Sequence, residues 1–200
     1  MPRFKRDDVD RFFDYGIDLT NRIVYMGSAS SSDDGESGVD SDMAERIIKA
    51  LHVLDLAAPD GDKPITIIMN NPGGDWYHGL AIYDAIKACK NHVTIRAFGY
   101  VMSMGSIIMQ AADERLMAPK ATMMIHHGFD GFGADHPKKF KKWADESVRV
   151  REQMLDIYLE KIHAVNPAFP RKKLDKMCDF DTFLTAEEAV KLGLADGVIE

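Results

Sequence analysis

The chain has 200 residues, 46% of them apolar, which is enough for one domain with a hydrophobic core and short for two. Its formal charge is −7 and its basic residues are scattered, so phosphate backbones would be repelled and nucleic acid is excluded as the expected partner. No apolar run reaches the roughly 18 residues that span a bilayer, and no apolar stretch follows the basic start as in a signal peptide. We therefore expect a cytoplasmic protein that has no membrane partner.

The first part of the chain predicts an arm, a strand, a loop and a helix. Residues 1–20 mix charge with aromatic side chains and are interpreted as an arm that needs something to pack on. Residues 22–26 suit a strand, and residues 28–39, which are polar and turn-rich, suit a flexible surface loop. Asp42, with Glu45 three residues later, predicts a capping box that opens a helix.

The middle of the chain alternates between apolar strands and helices. This alternation indicates an α/β layered core. Strands are predicted at residues 65–69, 93–98 and 122–125, and helices at residues 79–90 and 103–112.

A long amphipathic helix is predicted over residues 139–163. At 1.5 Å per residue it would extend about 37 Å, which is more than a domain of this size needs, so part of it should project and pack on a partner. Its apolar side chains fall on or near one stripe: Phe140, Trp143, Val150, Met154, Ile157 and Ile162.

A second capping box is predicted at Thr185 and Glu188, with its helix ending at Gly193. The two cysteines, Cys89 and Cys178, lack CxxC spacing and cannot build a zinc site alone, so we interpret both as packing residues.

Ser103 lies in Gly99-Tyr-Val-Met-Ser103-Met-Gly105-Ser, where a strand ends and a helix begins. This position places a hydroxyl at the positive end of a helix, beside free backbone N–H groups that could stabilise an oxyanion. On local sequence alone, simple capping of the helix by Ser103 is the favoured interpretation, and a nucleophile is the alternative.

The segment Asn70-Asn-Pro-Gly73-Gly74 follows another strand of the same expected sheet. Consecutive glycines let backbone N–H groups approach a ligand, so a plain turn and an oxyanion donor are both open. The segment lacks the GxGxxG spacing and the Lys-Ser/Thr pair of phosphate-binding loops.

His126 ends a strand, and because strand side chains alternate, His126 and His127 should point to opposite sides, one toward a site and one toward solvent. Asp181 precedes the second capping box, with Asp179 as its competitor, and turn formation is the plain alternative for both. Together these segments could supply a nucleophile, a base, an orienting carboxylate and two sets of oxyanion donors, as acyl transfer requires.

Four stretches resemble the proteolytic subunit of the Clp protease (the ClpP family) in order and in spacing: residues 67–74, 99–105, 124–126 and 181–196. The resemblance implies that Ser103 is the nucleophile, His126 the general base and Asp181 its partner. It also implies that the oxyanion is held by the backbone N–H groups of Gly74 and Met104.

The resemblance further implies a crotonase-like α/β fold, a β-β-α spiral core with a projecting handle helix in residues 134–164, in one domain over residues 1–200. In the family, handles interlock two heptameric rings into a tetradecamer, and a hexameric AAA+ unfoldase delivers unfolded polypeptide. Residues 128–133 lie where the family holds substrate as an added strand. Candidate substrate contacts are therefore Gly73, Gly128, Phe129 and Gly131, and neither a metal nor an organic cofactor is implied.

Some positions depart from the family pattern and indicate a divergent member. Asn71 replaces a common Ser, His127-Gly128 replaces Gln-Pro, residues 28–38 resemble an insertion, and the N-terminal arm matches poorly. The predicted function is a serine endopeptidase that hydrolyses unfolded polypeptides or peptides inside an oligomeric barrel. The alternatives are a crotonase-type acyl-CoA enzyme, which would use acidic residues and coenzyme A, and a catalytically silent ring-forming scaffold.

Overall fold

The computed structural model describes residues 6–27, 38–128 and 136–200, without the side chains of residues 6–8. The described helices are α1 (Arg6–Tyr15), α2 (Ser41–Leu56), α3 (Trp76–Ala88), α4 (Met104–Met109), α5 (Pro137–Val165), α6 (Arg171–Cys178) and α7 (Ala186–Leu192). The described strands are β1 (Ile17–Asp18), β2 (Ile23–Gly27), β3 (Ile65–Asn71), β4 (Val93–Met102), β5 (Glu114–Met117), β6 (Thr122–Ile125), β7 (Thr182–Thr185) and β8 (Gly197–Val198).

These strands form one sheet that divides at β4, which is ten residues long. β2, β3 and β4 run parallel, and β1 pairs antiparallel with β2. The first half of β4 pairs with β5, which continues to β8, whereas its last three residues pair with β6, which continues to β7. The division brings the ends of β4, β6 and β7 together at one place.

The core lies between the sheet and the helices packed on it. In β3, burial alternates strictly, so that Ile65, Ile67, Met69 and Asn71 all face inward. The apolar face of α2 is buried in the same core through Ile47, Leu51 and Leu54, all nearly inaccessible to solvent. Each such side chain contributes about 1.5–3 kcal/mol by leaving water, so the core holds the strand ends in fixed register.

The predicted α/β alternation and the strands near residues 22–26, 65–69, 93–98 and 122–125 are confirmed. β4 extends four residues beyond the predicted end because its second half gains a partner in β6. α3 begins at Trp76 rather than near residue 79, because the Asp75 carboxylate accepts a hydrogen bond from the N–H of His78 at 2.9 Å. The second capping box is confirmed, with Thr185 and Glu188 bonded reciprocally and the helix ending at Gly193.

The capping box predicted at Asp42 is wrong. The N-cap of α2 is Asp40, whose backbone is extended and whose carboxylate accepts from the N–H of Met43 at 2.8 Å. Asp42 already lies in the first helical turn, and the carboxylate of Glu45 instead contacts Lys49 at 2.6 Å.

The N-terminal arm is partly helical, since α1 and β1 fall within it. The Phe12 ring packs edge-on against Tyr25 with ring centroids 6.3 Å apart, so this segment lies against β2. The flexible loop predicted over residues 28–39 falls largely outside the described residues, which resume at 38.

The long helix is confirmed as α5, whose 29 residues extend about 43 Å. Its C-terminal half packs on the core through Met154, Ile157, Tyr158 and Ile162, which matches part of the predicted stripe. In its N-terminal half the stripe is not buried, since the aromatic side chains there are about half exposed. Among the described helices, none combines the length and the apolar character that a membrane span requires.

Candidate active site

Strand register alone brings the predicted site residues together. Met102 pairs with Met124 across β4 and β6, and Ile125 pairs with Thr182 across β6 and β7. The residues next to these pairs are Ser103, His126 and Asp181. Three segments distant in sequence therefore meet where the divided sheet ends.

The three side chains form a hydrogen-bonded chain. His126 Nε2 lies 2.8 Å from Ser103 Oγ, and His126 Nδ1 lies 3.0 Å from Asp181 Oδ1. An ionised carboxylate only accepts, so Nδ1 carries the proton and Nε2 is left to accept from the serine hydroxyl. Ser103 and His126 are both only partly buried, so a substrate carbonyl can reach the serine.

Ser103 sits in a strained backbone conformation, with φ 49° and ψ −124°. A non-glycine residue held at such angles costs about 1–3 kcal/mol, which the surrounding structure must offset. The Ser103 N–H donates to Met124 O at 2.9 Å, which fixes the turn against β6. The capping interpretation favoured by local sequence is wrong, because the Ser103 side chain makes no cap hydrogen bond and turns toward His126.

The Gly73-Gly74 turn lies directly beside Ser103. Both residues have positive φ, 110° and 141°, and a Cβ on Gly73 would come within 2.5 Å of Ser103 Cβ. Val39 buttresses the outer side of the turn: its N–H donates to Gly73 O at 2.6 Å and its carbonyl accepts from Asp75 N at 2.8 Å. Only glycine fits this close approach.

Two backbone N–H groups next to Ser103 remain available to a ligand. Within residues 38–128 and the other described ranges, neither the Gly74 N–H nor the Met104 N–H donates to a protein acceptor. Met104 is the first residue of α4, where helical N–H groups have no partner within the helix. Both residues line a cleft of about 300 Å³ together with Ser103 and His126.

Of the predicted substrate contacts, Gly128 lines the same cleft and Gly73 adjoins Ser103. Gly128 has φ 81°, and no atom lies within 4 Å of where its Cβ would be, so the backbone there is open. Phe129 and Gly131 lie outside the described residues. Apolar side chains of Trp76, Ile107 and Met154 form part of the cleft wall.

His127 does not face solvent, contrary to the sequence prediction. Its side chain is only 9% exposed, and Nε2 lies 3.1 Å from both the backbone oxygen and the carboxylate of Asp175. The backbone N–H of His127 donates to Cys178 O at 2.8 Å. Asp179, the competitor of Asp181, lies 3.8 Å from His127 Nε2, so the two aspartates serve different histidines.

The cysteines are free thiols with packing roles. Burial raises the pKa of Cys89 to about 11 and that of Cys178 to about 12, so both stay protonated at neutral pH. Within the described ranges, no group of three His, Cys, Asp or Glu side chains is placed to hold a metal ion.

Asn71 supports the site, although sequence reasoning gave it no role. It is fully buried, and its Oδ1 accepts from Gly73 N at 2.9 Å, which holds the glycine turn in place. The signal was present in the sequence: Asn71 continues the inward register of Ile65, Ile67 and Met69, and a buried polar group requires a partner.

The family model for the Clp protease matches residues 34–200 of the chain. The chain belongs to the Clp protease family. It is 34% identical over 194 residues to the ATP-dependent Clp protease proteolytic subunit of Deinococcus radiodurans, which covers 96% of the chain and 87% of that relative. The Clp membership confirms the predicted serine protease class and the crotonase-like α/β fold.

Two chloroplastic proteins of Arabidopsis thaliana also match. ATP-dependent Clp protease proteolytic subunit 3 is 34% identical over 203 residues, and subunit 6 is 29% identical over 182 residues. The matches cover 100% and 90% of the chain but only 58% and 61% of those relatives, so the chain spans about three-fifths of their length.

Proposed function

We propose that the chain hydrolyses polypeptides through an acyl-enzyme formed on Ser103. The observation that carries the proposal is the continuous chain from Ser103 Oγ through His126 to Asp181, with contacts of 2.8 and 3.0 Å. His126 Nε2 takes the serine proton as Oγ bonds to the substrate carbonyl carbon. Asp181 keeps the imidazole in the correct tautomer and stabilises its cation.

The negative charge that develops on the substrate oxygen is received by the N–H groups of Gly74 and Met104. Each such donor contributes about 10²–10³ in rate. His126 then gives its proton to the leaving amine, the C–N bond breaks, and the acyl group stays on Ser103. A water molecule repeats the sequence, with His126 as base, and releases the carboxylic acid and the free serine.

The proposed substrate is unfolded polypeptide that lies extended across the cleft. The proposed substrate contacts are Gly73, Gly128, Phe129 and Gly131. Residues 128–133 would pair with the peptide as an added strand. Gly128 supports this assignment, because it lines the cleft that holds Ser103 and its backbone is open.

We further propose that residues 1–200 act as one domain in a homo-oligomer, two heptameric rings joined through handles in residues 134–164. The exposed half of α5 supports this, because Trp143 and Val148 are 46% and 58% exposed. An AAA+ unfoldase would deliver substrate, in the cytoplasm. Analytical ultracentrifugation should give the mass of fourteen copies of the 22.4 kDa chain; a monomer or dimer at micromolar concentration would contradict the assembly.

The decisive test of the peptidase is covalent labelling with a fluorophosphonate probe. The wild-type chain should label at Ser103, Ser103→Ala should lose both labelling and peptidase activity, and Ser41→Ala, at an exposed helix start, should behave as wild type. Undiminished labelling of Ser103→Ala would remove Ser103 from the mechanism. Rings that neither label nor hydrolyse would favour the silent scaffold, and stabilisation by coenzyme A without labelling would favour the acyl-CoA enzyme.

A further inference from the structure

One peptide group joins the nucleophile to its oxyanion donor. The carbonyl of Ser103 and the N–H of Met104 belong to the same peptide bond, which is planar and trans. The two groups therefore point in opposite directions, and whatever fixes the carbonyl also fixes the N–H. In a strained turn, this orientation needs external support.

The Ser103 carbonyl oxygen is held from three sides. It accepts from the N–H of Ser106 at 3.0 Å, from the N–H of Ile107 at 3.4 Å and from Ser106 Oγ at 2.6 Å. The first two bonds belong to any helix start. The third comes from a side chain that is completely buried and does not line the cleft.

The donor of each hydrogen bond in this cluster follows from the number of protons that each group carries. Ser106 Oγ has one proton, which it donates to the Ser103 carbonyl, and it lies 2.6 Å from Tyr158 Oη. The Tyr158 hydroxyl must therefore donate to Ser106 Oγ. Burial raises the pKa of Tyr158, so its hydroxyl keeps this proton at neutral pH.

We propose that Ser106 and Tyr158 are positioning residues that orient and polarise the Ser103–Met104 peptide toward the oxyanion. Hydrogen bonds in series strengthen one another, so a proton donated by Tyr158 makes Ser106 a better donor, and the bonded carbonyl makes the Met104 N–H a better donor. The inference rests on the proposed acyl-enzyme function. The donor strength of the Met104 N–H then depends on α5, because Tyr158 lies on the buried half of that helix.

Pure structural support is the competing explanation, since buried Tyr and Ser hydroxyls normally find partners whatever their function. The two explanations differ in what they do to the transition state. Structural support alone would change stability, whereas polarisation of the Met104 N–H would selectively weaken binding of a tetrahedral oxyanion.

The test compares Tyr158→Phe with Tyr83→Phe, a matched control that removes a partly buried hydroxyl from α3. For a chromogenic peptide substrate, Tyr158→Phe should lower kcat about 2- to 8-fold, less than the 10²–10³ expected from removal of a donor, with KM within about two-fold. Inhibition by a peptide aldehyde, which forms a tetrahedral adduct on the serine, should weaken by the same factor as kcat. The pH midpoint of kcat should not move, because the His126 hydrogen bonds are untouched.

Ser106→Ala should give a larger loss of the same kind, and thermal unfolding of each variant shows whether it folds. Unchanged kcat and aldehyde inhibition in Tyr158→Phe, or an equal loss in Tyr83→Phe, would overturn the inference while leaving the peptidase intact. A fall in kcat without weaker aldehyde binding would also overturn it. A wild-type chain that neither hydrolyses the peptide nor reacts with the fluorophosphonate would instead overturn the proposed function, and this inference with it.

Discussion

At the residue scale, the two neighbouring histidines have different environments because strand side chains alternate. His126 turns to Ser103 and Asp181, and His127 turns inward to Asp175 with Asp179 nearby. Both are histidines next to carboxylates, so composition alone does not distinguish them. Their different neighbours suggest that only one pair takes part in the reaction.

Replacement of Asp181 by Asn tests this assignment. An amide beside Nδ1 can donate as well as accept, so it would stabilise the tautomer in which Nε2 carries the proton and cannot accept from Ser103. We expect kcat to fall about 10²–10⁴-fold with little change in KM. The loss should lie near the 10² end of this range, because water reaches the half-exposed carboxylate of Asp181.

Asp179→Asn is the matched control for Asp181→Asn. It makes the same chemical change two residues away, and steady-state kinetics should show kcat within about two-fold of wild type. Equal losses in the two variants would contradict the separate roles of the aspartates.

The sequence predicted these residues through motifs, but not their orientation. Local sequence favours Ser103 as a helix cap because propensity does not report a positive φ, and the Ser103 side chain makes no cap hydrogen bond. No motif indicates the role of Asn71, because that role depends on which face of β3 is inward. No local motif marks Tyr158, because its partner, Ser106, lies 52 residues away in the chain.

At the element scale, long periodic segments were predictable, whereas three short strands, β5, β7 and β8, were not. α2, α5 and β3 carry their own burial pattern. β5, β7 and β8 have four residues or fewer and exist because a neighbour pairs with them. The same dependence explains why β4 extends beyond its predicted end, where β6 pairs with it.

The predicted N-cap of α2, Asp42, lies two residues after the observed N-cap, Asp40. Asp40→Ala removes the carboxylate that accepts from Met43 N, and should lower the free energy of unfolding by about 1 kcal/mol. Asp42→Ala removes only a first-turn charge and should cost a few tenths to about 1 kcal/mol, less than Asp40→Ala. Urea denaturation compares the two losses of unfolding free energy. A larger loss for Asp42→Ala than for Asp40→Ala would support the capping box predicted at Asp42.

At the scale of the whole molecule, the C-terminal segment is joined to the core through Arg115. This side chain is 9% exposed and donates to Gln110 Oε1 at 2.7 Å, to Gly193 O at 2.9 Å and, in a bidentate pair, to the Asp196 carboxylate. It therefore connects β5 with the ends of α4 and α7 and the start of β8. Gln110 also donates to the Ser106 carbonyl at 2.8 Å, so this cluster borders α4, the helix that begins at the proposed oxyanion donor Met104.

The ion pair between Arg115 and Asp196 makes the free energy of unfolding depend on pH in the acid range. Burial alone would raise the pKa of Asp196, but the hydrogen bonds and charge of Arg115 lower it below its ordinary value. A carboxylate with a lowered pKa in the folded state adds stability above its unfolded pKa of about 3.9, and that stability is lost as pH falls through the folded value. Acid should therefore weaken the connection between β8 and the core.

Asp196→Asn should remove this acid dependence. It leaves the buried guanidinium without its counter-charge, and we expect a loss of about 1–3 kcal/mol at pH 7, reduced from that of a fully buried pair because the Asp196 side chain is 39% exposed. Urea unfolding at pH 7 and pH 3 should show that the difference in free energy of unfolding between Asp196→Asn and wild type becomes smaller in acid. The control Asp60→Asn, on an exposed turn, should have the wild-type free energy of unfolding at both pH values. A constant gap would mean that Asp196 contributes by packing and not by charge.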